Sequence, residues 1–348
     1  MRVAIIYNAA AQDSDPSEMD VMRQVHLVEK TFDELGVTYA AIPVTRALGR
    51  FLDNIQRFRP DAAFNLVESL EGRDDLHPNV PAVLELIGLP CTGSSAWSLW
   101  LTTDKATAKE IMQAKGIPTP AFWTYPSVIR QRSPHNRQAP PIQPLTAIQS
   151  SWQGDAKGPW IVKPATKDAS IGIDEAAVFS SLDDLMRGLP ERWKRFANEP
   201  LLIEEYIHGR EFGVSMLEGP GGVECLPPAE IVFYNYAEGT PRIIDWKAKW
   251  DPSAPSYHNT VRSFDFPPTD GPLLEELKCL AMRCWDAFRL NGYARVDIRV
   301  DEMRRPWVLE MNANPCLSDD AGFMAAANEK GLMPRDVIAR ILEAARPT

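Results

Sequence analysis

Polar side chains recur at every second position of two strand-like runs, "ARVDIRVD" (residues 294–301) and "VLEMNANP" (residues 308–315). Residues two apart lie on the same face of a β-strand, so each run would present one polar face and one apolar face. If the polar stretch between the runs forms a hairpin turn, pairing brings together the oxygen atoms of Asp297, Glu310 and Asn312. Such oxygen ligands are typical of Mg²⁺ sites that also bind substrate phosphates. For these runs alone, a solvent-facing strand face with ordinary salt bridges is the alternative.

Length and composition bound the class of protein. The chain has 348 residues, of which 45% are apolar, and this length predicts two or three domains. Its 37 basic and 47 acidic residues include no basic stripe, which argues against a nucleic-acid partner. The five cysteines contain no CxxC pair, so neither a disulfide framework nor a zinc site is indicated. No apolar run approaches the roughly 20 residues of a membrane span, and the N-terminus is typical of a buried strand. We therefore expect a cytoplasmic protein without a membrane partner.

The N-terminal part alternates short apolar runs with helical spacing of apolar residues. The strand-like runs cover residues 2–7, 38–44 and 61–67. Strands that alternate with helices predict a doubly wound α/β domain with a parallel sheet. Because GxGxxG is absent, a dinucleotide is not expected there.

Two later segments carry residues suited to a nucleotide. Lys163 ends an apolar run and is followed by a turn of small residues that includes Ser170 and Gly172. A lysine can reach a phosphate as a point charge, and the N–H groups of such a turn can bind phosphate oxygens. The carboxylates suited to an adenine amino group and ribose hydroxyls are those of Glu204, Glu205 and Glu211. A solvated surface turn and a hairpin with solvated acids are the respective alternatives.

Lys247 and Lys249 alternate with tryptophans in "IDWKAKW" (residues 244–250), so a strand would place both lysines on one face. The loop-like residues 250–262 that follow are a candidate lid that excludes water. An exposed basic strand edge is the alternative.

The order of these segments resembles the ATP-grasp superfamily, and in particular D-alanine–D-alanine ligase and its relatives. The resemblance covers nearly the whole chain and is densest in "VLELIGLPCTGSSAWSLWLTTDKATAKEIMQAKGIPTP" (residues 83–120). It implies an α/β fold with three-domain ATP-grasp architecture. An N-terminal doubly wound parallel sheet (residues 1–101) would be followed by two α+β domains (residues 102–205 and 206–348) that clasp ATP.

The resemblance also implies a role for each matching residue. The positions similar to ATP-binding residues are Lys105, Lys163, Ser170, Gly172, Glu204, Glu205, Glu211 and Lys249. The positions similar to ligands of two Mg²⁺ ions, for which Mn²⁺ can substitute, are Asp297, Glu310 and Asn312. The positions similar to catalytic residues are Arg295, Lys249 and Cys316. Cys316 would act through its backbone N–H at the oxyanion, since no histidine lies near it in sequence to support a nucleophilic thiolate.

Three departures from the D-alanine enzymes fall at the substrate ends. Glu18, or else Asp20, would stand in for the acid that binds the first ammonium group, and Glu71 replaces a histidine. Asp319 and Asp320 lie where the second carboxylate would bind. Because acids repel a carboxylate, we expect an acceptor that lacks a carboxylate at this wall or carries an extra positive charge. Alternatively, Asp319 is only a helix N-cap.

The implied reaction is ATP-dependent ligation of a carboxylate to an amine through an acylphosphate, with amino acids or similar small molecules as substrates. A true D-alanine–D-alanine ligase of cell-wall synthesis is one alternative. A ligase with a thiol or peptide side chain as acceptor is another, and a nucleotide-binding paralogue that has lost ligation is a third. The complete set of lysines and metal-type residues argues against the last. The resemblance further implies a homodimer.

Overall fold

The computed structural model describes residues 1–9, 16–126 and 158–345, with side chains of the first helix described from residue 19 onward. The strands of this part form three sheets, one parallel and two antiparallel. This arrangement confirms the α/β class expected from the sequence. None of the described helices is long and apolar enough to span a bilayer.

The N-terminal sheet is parallel, with the strand order β2–β1–β3. Its elements are β1 (Arg2–Asn8), α1 (Pro16–Leu35), β2 (Thr38–Val44), α2 (Leu48–Phe58), β3 (Ala62–Leu66) and α3 (Asn79–Leu86). Every residue of β3 is buried, and all of them except Asn65 are apolar, as is typical of a central parallel strand. Because β1 and β3 run parallel, Asn8 and the residues after β3 meet at the carboxyl edge of the sheet, where α/β folds bind ligands.

The second sheet is antiparallel, with the order β4–β7–β5–β6. Its strands are β4 (Phe122–Tyr125), β5 (Trp160–Pro164), β6 (Val178–Phe179) and β7 (Leu201–Glu205). Helices α4 (Ala96–Thr103) and α5 (Lys105–Ala114) precede it, and α6 (Leu182–Arg195) packs on it. The Asp104 side chain caps α5 by accepting the N–H groups of Ala106 and Thr107, which fixes Lys105 in the first turn.

The third sheet has the order β11–β10–β8–β12–β13, with β9 beside β8. Its strands are β8 (Arg210–Gly219), β9 (Gly222–Cys225), β10 (Ala229–Phe233), β11 (Thr260–Ser263), β12 (Tyr293–Val300) and β13 (Pro306–Asn312). Asp297 lies opposite Glu310 and Arg295 lies opposite Asn312, so the predicted hairpin is confirmed. A register shift after Asp297 leaves Leu309 as an extra residue on β13, as in a β-bulge.

The two faces of this third sheet have different partners. Its apolar face, which includes Phe212 and Val296, packs against helix α9 (Gly271–Phe288). The polar face is turned toward the second sheet. Helices α10 (Gly322–Glu329) and α11 (Pro334–Glu343) share a core cluster with α1 and the N-terminal sheet. This packing holds residues 313–321 near the carboxyl edge of that sheet.

The predicted strand around Lys247 and Lys249 is wrong. Residues Trp246–Trp250 form a short helix, α7, because the Asp245 side chain accepts the Ala248 N–H at 2.7 Å and starts a helical turn. Two residues apart on a helix point in different directions, so the two lysines do not share a face. A second short helix, α8 (Pro255–Asn259), lies within the predicted lid.

The predicted domain boundaries stay predictions. The predicted boundary between residues 205 and 206 coincides with the end of β7, the last strand of the second sheet. Residues 101 and 102, in contrast, lie inside helix α4.

Candidate active site

A cavity of about 860 Å³ lies between the second and third sheets and reaches the carboxyl edge of the N-terminal sheet. This volume is within the range of pockets that bind small molecules. The predicted site residues that line it are Lys105, Lys163, Ser170, Glu204, Glu205, Glu211, Lys249, Arg295, Asp297, Glu310, Asn312, Cys316 and Asp320.

Other predicted site residues are placed elsewhere. Gly172 has a φ of +79°, and a Cβ atom there would clash with the ring of Phe196, so the position packs against that ring and does not line the cavity. Asp319 is exposed outside the cavity, and the N-cap of α10 is Ala321 rather than Asp319. The side chain of Glu18 lies outside the described residues.

Glu71 also lies outside the cavity. Its φ is +52°, and its half-exposed carboxylate pairs with Arg46 at 3.2 Å on the outer surface. Glu68, three residues earlier, lines the cavity instead. Glu68 follows β3 at the carboxyl edge of the parallel sheet, so the strand-end rule for α/β folds was the sequence signal that could have identified it.

Glu68 is a partly buried carboxylate at the cavity wall. Burial raises its pKa to about 7, against the opposing effect of a hydrogen bond from Gln24 Nε2 at 2.7 Å. Gln24 in turn accepts the N–H of Leu317 at 2.9 Å, and Asn8 Oδ1 accepts the Glu68 N–H at 3.2 Å. Glu68 is thereby held against the segment that follows β13.

The predicted metal residues lie on the polar face of the β12–β13 hairpin. The side chains of Asp297 and Glu310 are about one-quarter exposed, at 26% and 25%. Arg295 donates to Asp297 from Nε at 2.7 Å and from Nη2 at 2.8 Å. This two-point hydrogen bond from the Arg295 guanidinium orients the Asp297 carboxylate.

Lys105 stands next to this hairpin. Its Nζ lies 2.8 Å from Asp168 Oδ1 and 3.3 Å from Glu310 Oε1. Although burial opposes the charge, these two carboxylates raise the pKa of Lys105. Burial likewise opposes ionisation of Glu310, but Lys105 and Lys163 hold the pKa of its carboxyl below its usual value. Lys105 and Glu310 are therefore a charged pair at the cavity wall.

The donor set of the hairpin fits a metal that is shared with a phosphorylated ligand. In the described part of the chain, no three His, Cys, Asp or Glu side chains converge closely enough to hold a metal by themselves. Asp297, Glu310 and the amide of Asn312 supply only part of a coordination shell. Mg²⁺ is usually bound in this way, by one or two carboxylates with phosphates and water completing its octahedron.

Lys163 is one end of a buried ionic row. Its Nζ lies 2.8 Å from Glu204 Oε2, and Lys109 pairs with the other oxygen of Glu204. Burial lowers the pKa of Lys109 to about 8, and its Nζ also donates to Thr119 Oγ1 at 2.8 Å. Both oxygens of Glu204 are thus occupied by lysines, which leaves its predicted adenine contact as a prediction. Lys109 was missed, although it lies four residues after Lys105 on the same helix face.

Glu211 is held by a buried arginine on the neighbouring strand. Arg299 Nη2 donates to Glu211 Oε2 at 2.7 Å, and Arg299 Nη1 donates to the Ile207 carbonyl at 2.8 Å. Its guanidinium carbon lies 4.9 Å from the centre of the Tyr206 ring. The connector between the second and third sheets is therefore fixed to β12.

Lys249 lies on the short helix α7 and lines the cavity. Its side chain is accessible from the cavity, while burial and repulsion by Arg295 lower its pKa. Trp250 Nε1 donates to the Ala169 carbonyl at 3.2 Å. This contact ties the first residue of the predicted lid to the predicted phosphate turn.

Asp20 is the centre of a hydrogen-bond cluster with the segment after β13. It accepts from Ser318 Oγ at 2.7 Å, from Cys316 Sγ at 2.9 Å and from Arg23 at 3.1 Å. Burial raises the pKa of the Cys316 thiol well above its ordinary value. A protonated thiol that donates to a carboxylate is a poor nucleophile, in agreement with the preference for a backbone role.

The chain has recognisable relatives. The family model described as "D-ala D-ala ligase C-terminus" matches residues 111–343. The D-alanine--D-alanine ligase of Pseudomonas entomophila (strain L48) is 28% identical over 344 residues, which cover 98% of this chain and 92% of that protein. An uncharacterized protein, y4sG, of Sinorhizobium fredii (strain NBRC 101917 / NGR234) is 30% identical over 308 residues, with coverages of 84% and 80%.

Solved structures share the fold. The D-alanine--D-alanine ligase from Bacillus anthracis complexed with ATP superimposes with a TM-score of 0.71 at 19% identity, covering 99% of this chain and 97% of that chain. Fold and cavity define an ATP-grasp ligase, an enzyme that binds ATP and forms carbon–nitrogen bonds. Within this class, the chain belongs to the D-alanine–D-alanine ligase family.

Proposed function

We propose that the protein joins two D-alanine molecules in an ATP-dependent reaction. The observation that carries the proposal is the meeting of the lysines and the Asp297–Glu310 pair at one cavity, with Lys105 Nζ 3.3 Å from Glu310 Oε1. Relatives named D-alanine--D-alanine ligase align over 98% of the chain. These names support the D-alanine alternative better than the broader expectation of unspecified amino acids.

The charged residues would act mainly on phosphates. Lys105, Lys163 and Lys249 would bind phosphate oxygens of ATP and offset the charge of the transferring phosphoryl group. A donor carboxylate oxygen attacks the γ-phosphorus as the bond to ADP breaks. The acceptor amine then attacks the acyl carbon and loses a proton, and phosphate leaves. Arg295 would stabilise the oxyanion of the tetrahedral centre.

The hairpin residues Asp297, Glu310 and Asn312 would hold the divalent metal on which ligases of this family depend. Mg²⁺ would supply charge neutralisation at the phosphate oxygens. The contribution of the chain is the strand register, which keeps both carboxylates adjacent before any ligand arrives. We further propose that the site holds two ions and that Mn²⁺ can replace Mg²⁺.

The test is a coupled measurement of ADP, phosphate and dipeptide with D-alanine as the only amino acid. The proposal predicts stoichiometric formation of all three. An Asp297→Asn variant, which keeps the volume but removes a ligand charge, is the matched inactive control. Release of AMP, or ADP release that is independent of D-alanine, would contradict the proposal.

A second candidate is the same reaction with a different amino acid. Glu68 favours it, because this carboxylate lines the cavity and has no ion-pair partner among the described residues. Its carboxylate would bind an ammonium group at the carboxyl edge of the N-terminal sheet. A panel of D- and L-amino acids in the same assay distinguishes the candidates, since the second predicts faster ADP release with another amino acid than with D-alanine.

A further inference from the structure

Arg262, on β11, is unlike the other arginines of the cavity. Within the described residues, Arg23, Arg295 and Arg299 each form an ion pair with a carboxylate, whereas Arg262 forms none. Its two Nη atoms lie 3.3 Å from the backbone carbonyl oxygen of Asp320. A cavity-facing guanidinium that has one carbonyl as its only acceptor among the described residues retains donors for a ligand.

The space above Gly322 is shared by two guanidinium groups. A methyl group built on Gly322 would lie 3.7 Å from Arg262 Nη2, 3.7 Å from Arg295 Nη1 and 3.9 Å from Arg262 Nε. Arg295 uses Nε and Nη2 for Asp297, so its Nη1 remains on the side of this space. An atom placed there is therefore close to donors from both arginines.

The local charges favour an anion in that space. Burial, followed by repulsion from Arg295, lowers the pKa of Arg262. The Asp320 carboxylate does not fill the space, because it pairs with Arg23 at 3.1 Å. The expectation that Asp319 and Asp320 repel a carboxylate here is thus not supported: one lies outside the cavity, and the other is paired with an arginine.

We propose that Arg262 and Arg295 together bind the carboxylate of the acceptor substrate above Gly322. The proposal rests on the proposed ligation. In that reaction the donor carboxylate is consumed at the phosphate, so the acceptor carboxylate needs a site of its own. Arg262 then sets specificity: acceptors with a free carboxylate beside the attacking amine are used, and the corresponding amides are not.

The test is a competition between two acceptors. D-alanine is supplied as donor, D-alanine and D-alaninamide compete as acceptors, and mass spectrometry gives the ratio of the two products. Because a charge-assisted hydrogen bond is lost, Arg262→Gln should lower the preference for D-alanine by roughly 10- to 150-fold. Arg262→Lys, which keeps the charge, should restore part of it. The KM for ATP should not change.

Gly322→Ala tests the space itself while both arginines remain. The new methyl group makes only ordinary contacts of 3.7 Å, so the fold accommodates it, but it occupies the place of the carboxylate. It should lower the preference for D-alanine as well. The matched control for Gly322→Ala is Gly271→Ala, at the start of α9, where the added methyl has nothing within 4 Å. The matched control for Arg262→Gln is Arg335→Gln, at an exposed position of α11.

Equal loss of both products in Arg262→Gln, or an unchanged product ratio in both variants, would overturn the proposal. Calorimetric binding of D-alanine and D-alaninamide provides a readout that needs no turnover. If wild-type protein binds D-alanine but does not ligate it, the proposed function fails while the acid-over-amide preference still tests Arg262. If it binds both compounds equally or neither, the Arg262 proposal fails.

Discussion

The proposed nucleotide side of the cavity, around Lys105, Lys163 and Glu310, and its proposed substrate side, around Glu68 and Arg262, hold their charged residues in different ways. On the nucleotide side, Lys105, Lys163 and Glu310 project from a capped helix and from strands, and each is paired. On the substrate side, Glu68 and Arg262 face the cavity without ion-pair partners in the described chain. Paired charges suit ATP, which binds together with Mg²⁺. Unpaired charges suit an amino acid, whose ammonium and carboxylate groups need partners of opposite charge.

The largest effect is expected on the nucleotide side. Glu310→Gln keeps the volume of the side chain but removes a proposed metal-ligand charge, so turnover should fall by about 1000-fold with the fold intact. Steady-state ADP release across a Mg²⁺ titration measures it. Glu302→Gln, in the exposed turn of the same hairpin, is the control. Near-normal turnover of Glu310→Gln at limiting Mg²⁺ would remove Glu310 from the metal site.

Lys163→Met should weaken the nucleotide side less severely. It removes one charge-assisted contact to phosphate, so kcat/KM for ATP should fall by roughly 10- to 100-fold. Lys194→Met, at an exposed position of α6, is the control. An unchanged kcat/KM for ATP in Lys163→Met would show that Lys163 serves only as the counter-ion of Glu204.

On the substrate side, Glu68 should be visible in the pH dependence of stability. Because the pKa of Glu68 is raised to about 7, the folded protein retains a proton that the unfolded chain loses near pH 4.5. Stability should therefore fall as pH rises through this window, by at most about 3 kcal/mol from this group. In Glu68→Gln that loss should be absent. Urea unfolding at pH 5 and pH 7.5 checks it, and parallel profiles for the two proteins would contradict the assignment.

The smallest effect is expected in the amide exchange of the predicted lid, residues 250–262. Residues 250–262 include α8 and end at Arg262, and we expect their amide exchange to slow when ATP and D-alanine are both bound. Hydrogen-exchange mass spectrometry with ATP alone, D-alanine alone and both ligands resolves which ligand closes the segment. Equal exchange in all states would argue against a lid.

The sequence predicted one side of the cavity better than the other for a physical reason. Asp297, Glu310 and Asn312 lie on strands, where a period of two determines the face and pairing determines the neighbour. Glu71 and Asp319 lie in turns, where the backbone conformation decides direction: the φ of +52° at Glu71 turns its carboxylate to Arg46. No local pattern predicts such a turn.

Arg262 and Lys109 illustrate a second limit. Arg262 is separated from Arg295 by 33 positions, and only the packing of β11 in the third sheet and of α10 beside it brings the two guanidinium groups together. Lys109 had a local signal in its spacing from Lys105, but its pairing with Glu204 depends on how α5 packs on the second sheet. Similarly, the alternation of lysine and tryptophan at residues 246–250 fits a strand, but the Asp245 cap starts a helix there. The alternating pattern alone does not show which of the two forms.

The central claim is that ATP activates a carboxylate by phosphorylation in this cavity. The most direct measurement follows oxygen from D-alanine labelled with ¹⁸O in its carboxylate. The donor oxygen that attacks the γ-phosphorus leaves with phosphate when the amine attacks, so each phosphate released with dipeptide should carry one ¹⁸O atom. Unlabelled phosphate, or ¹⁸O found in AMP, would contradict the account.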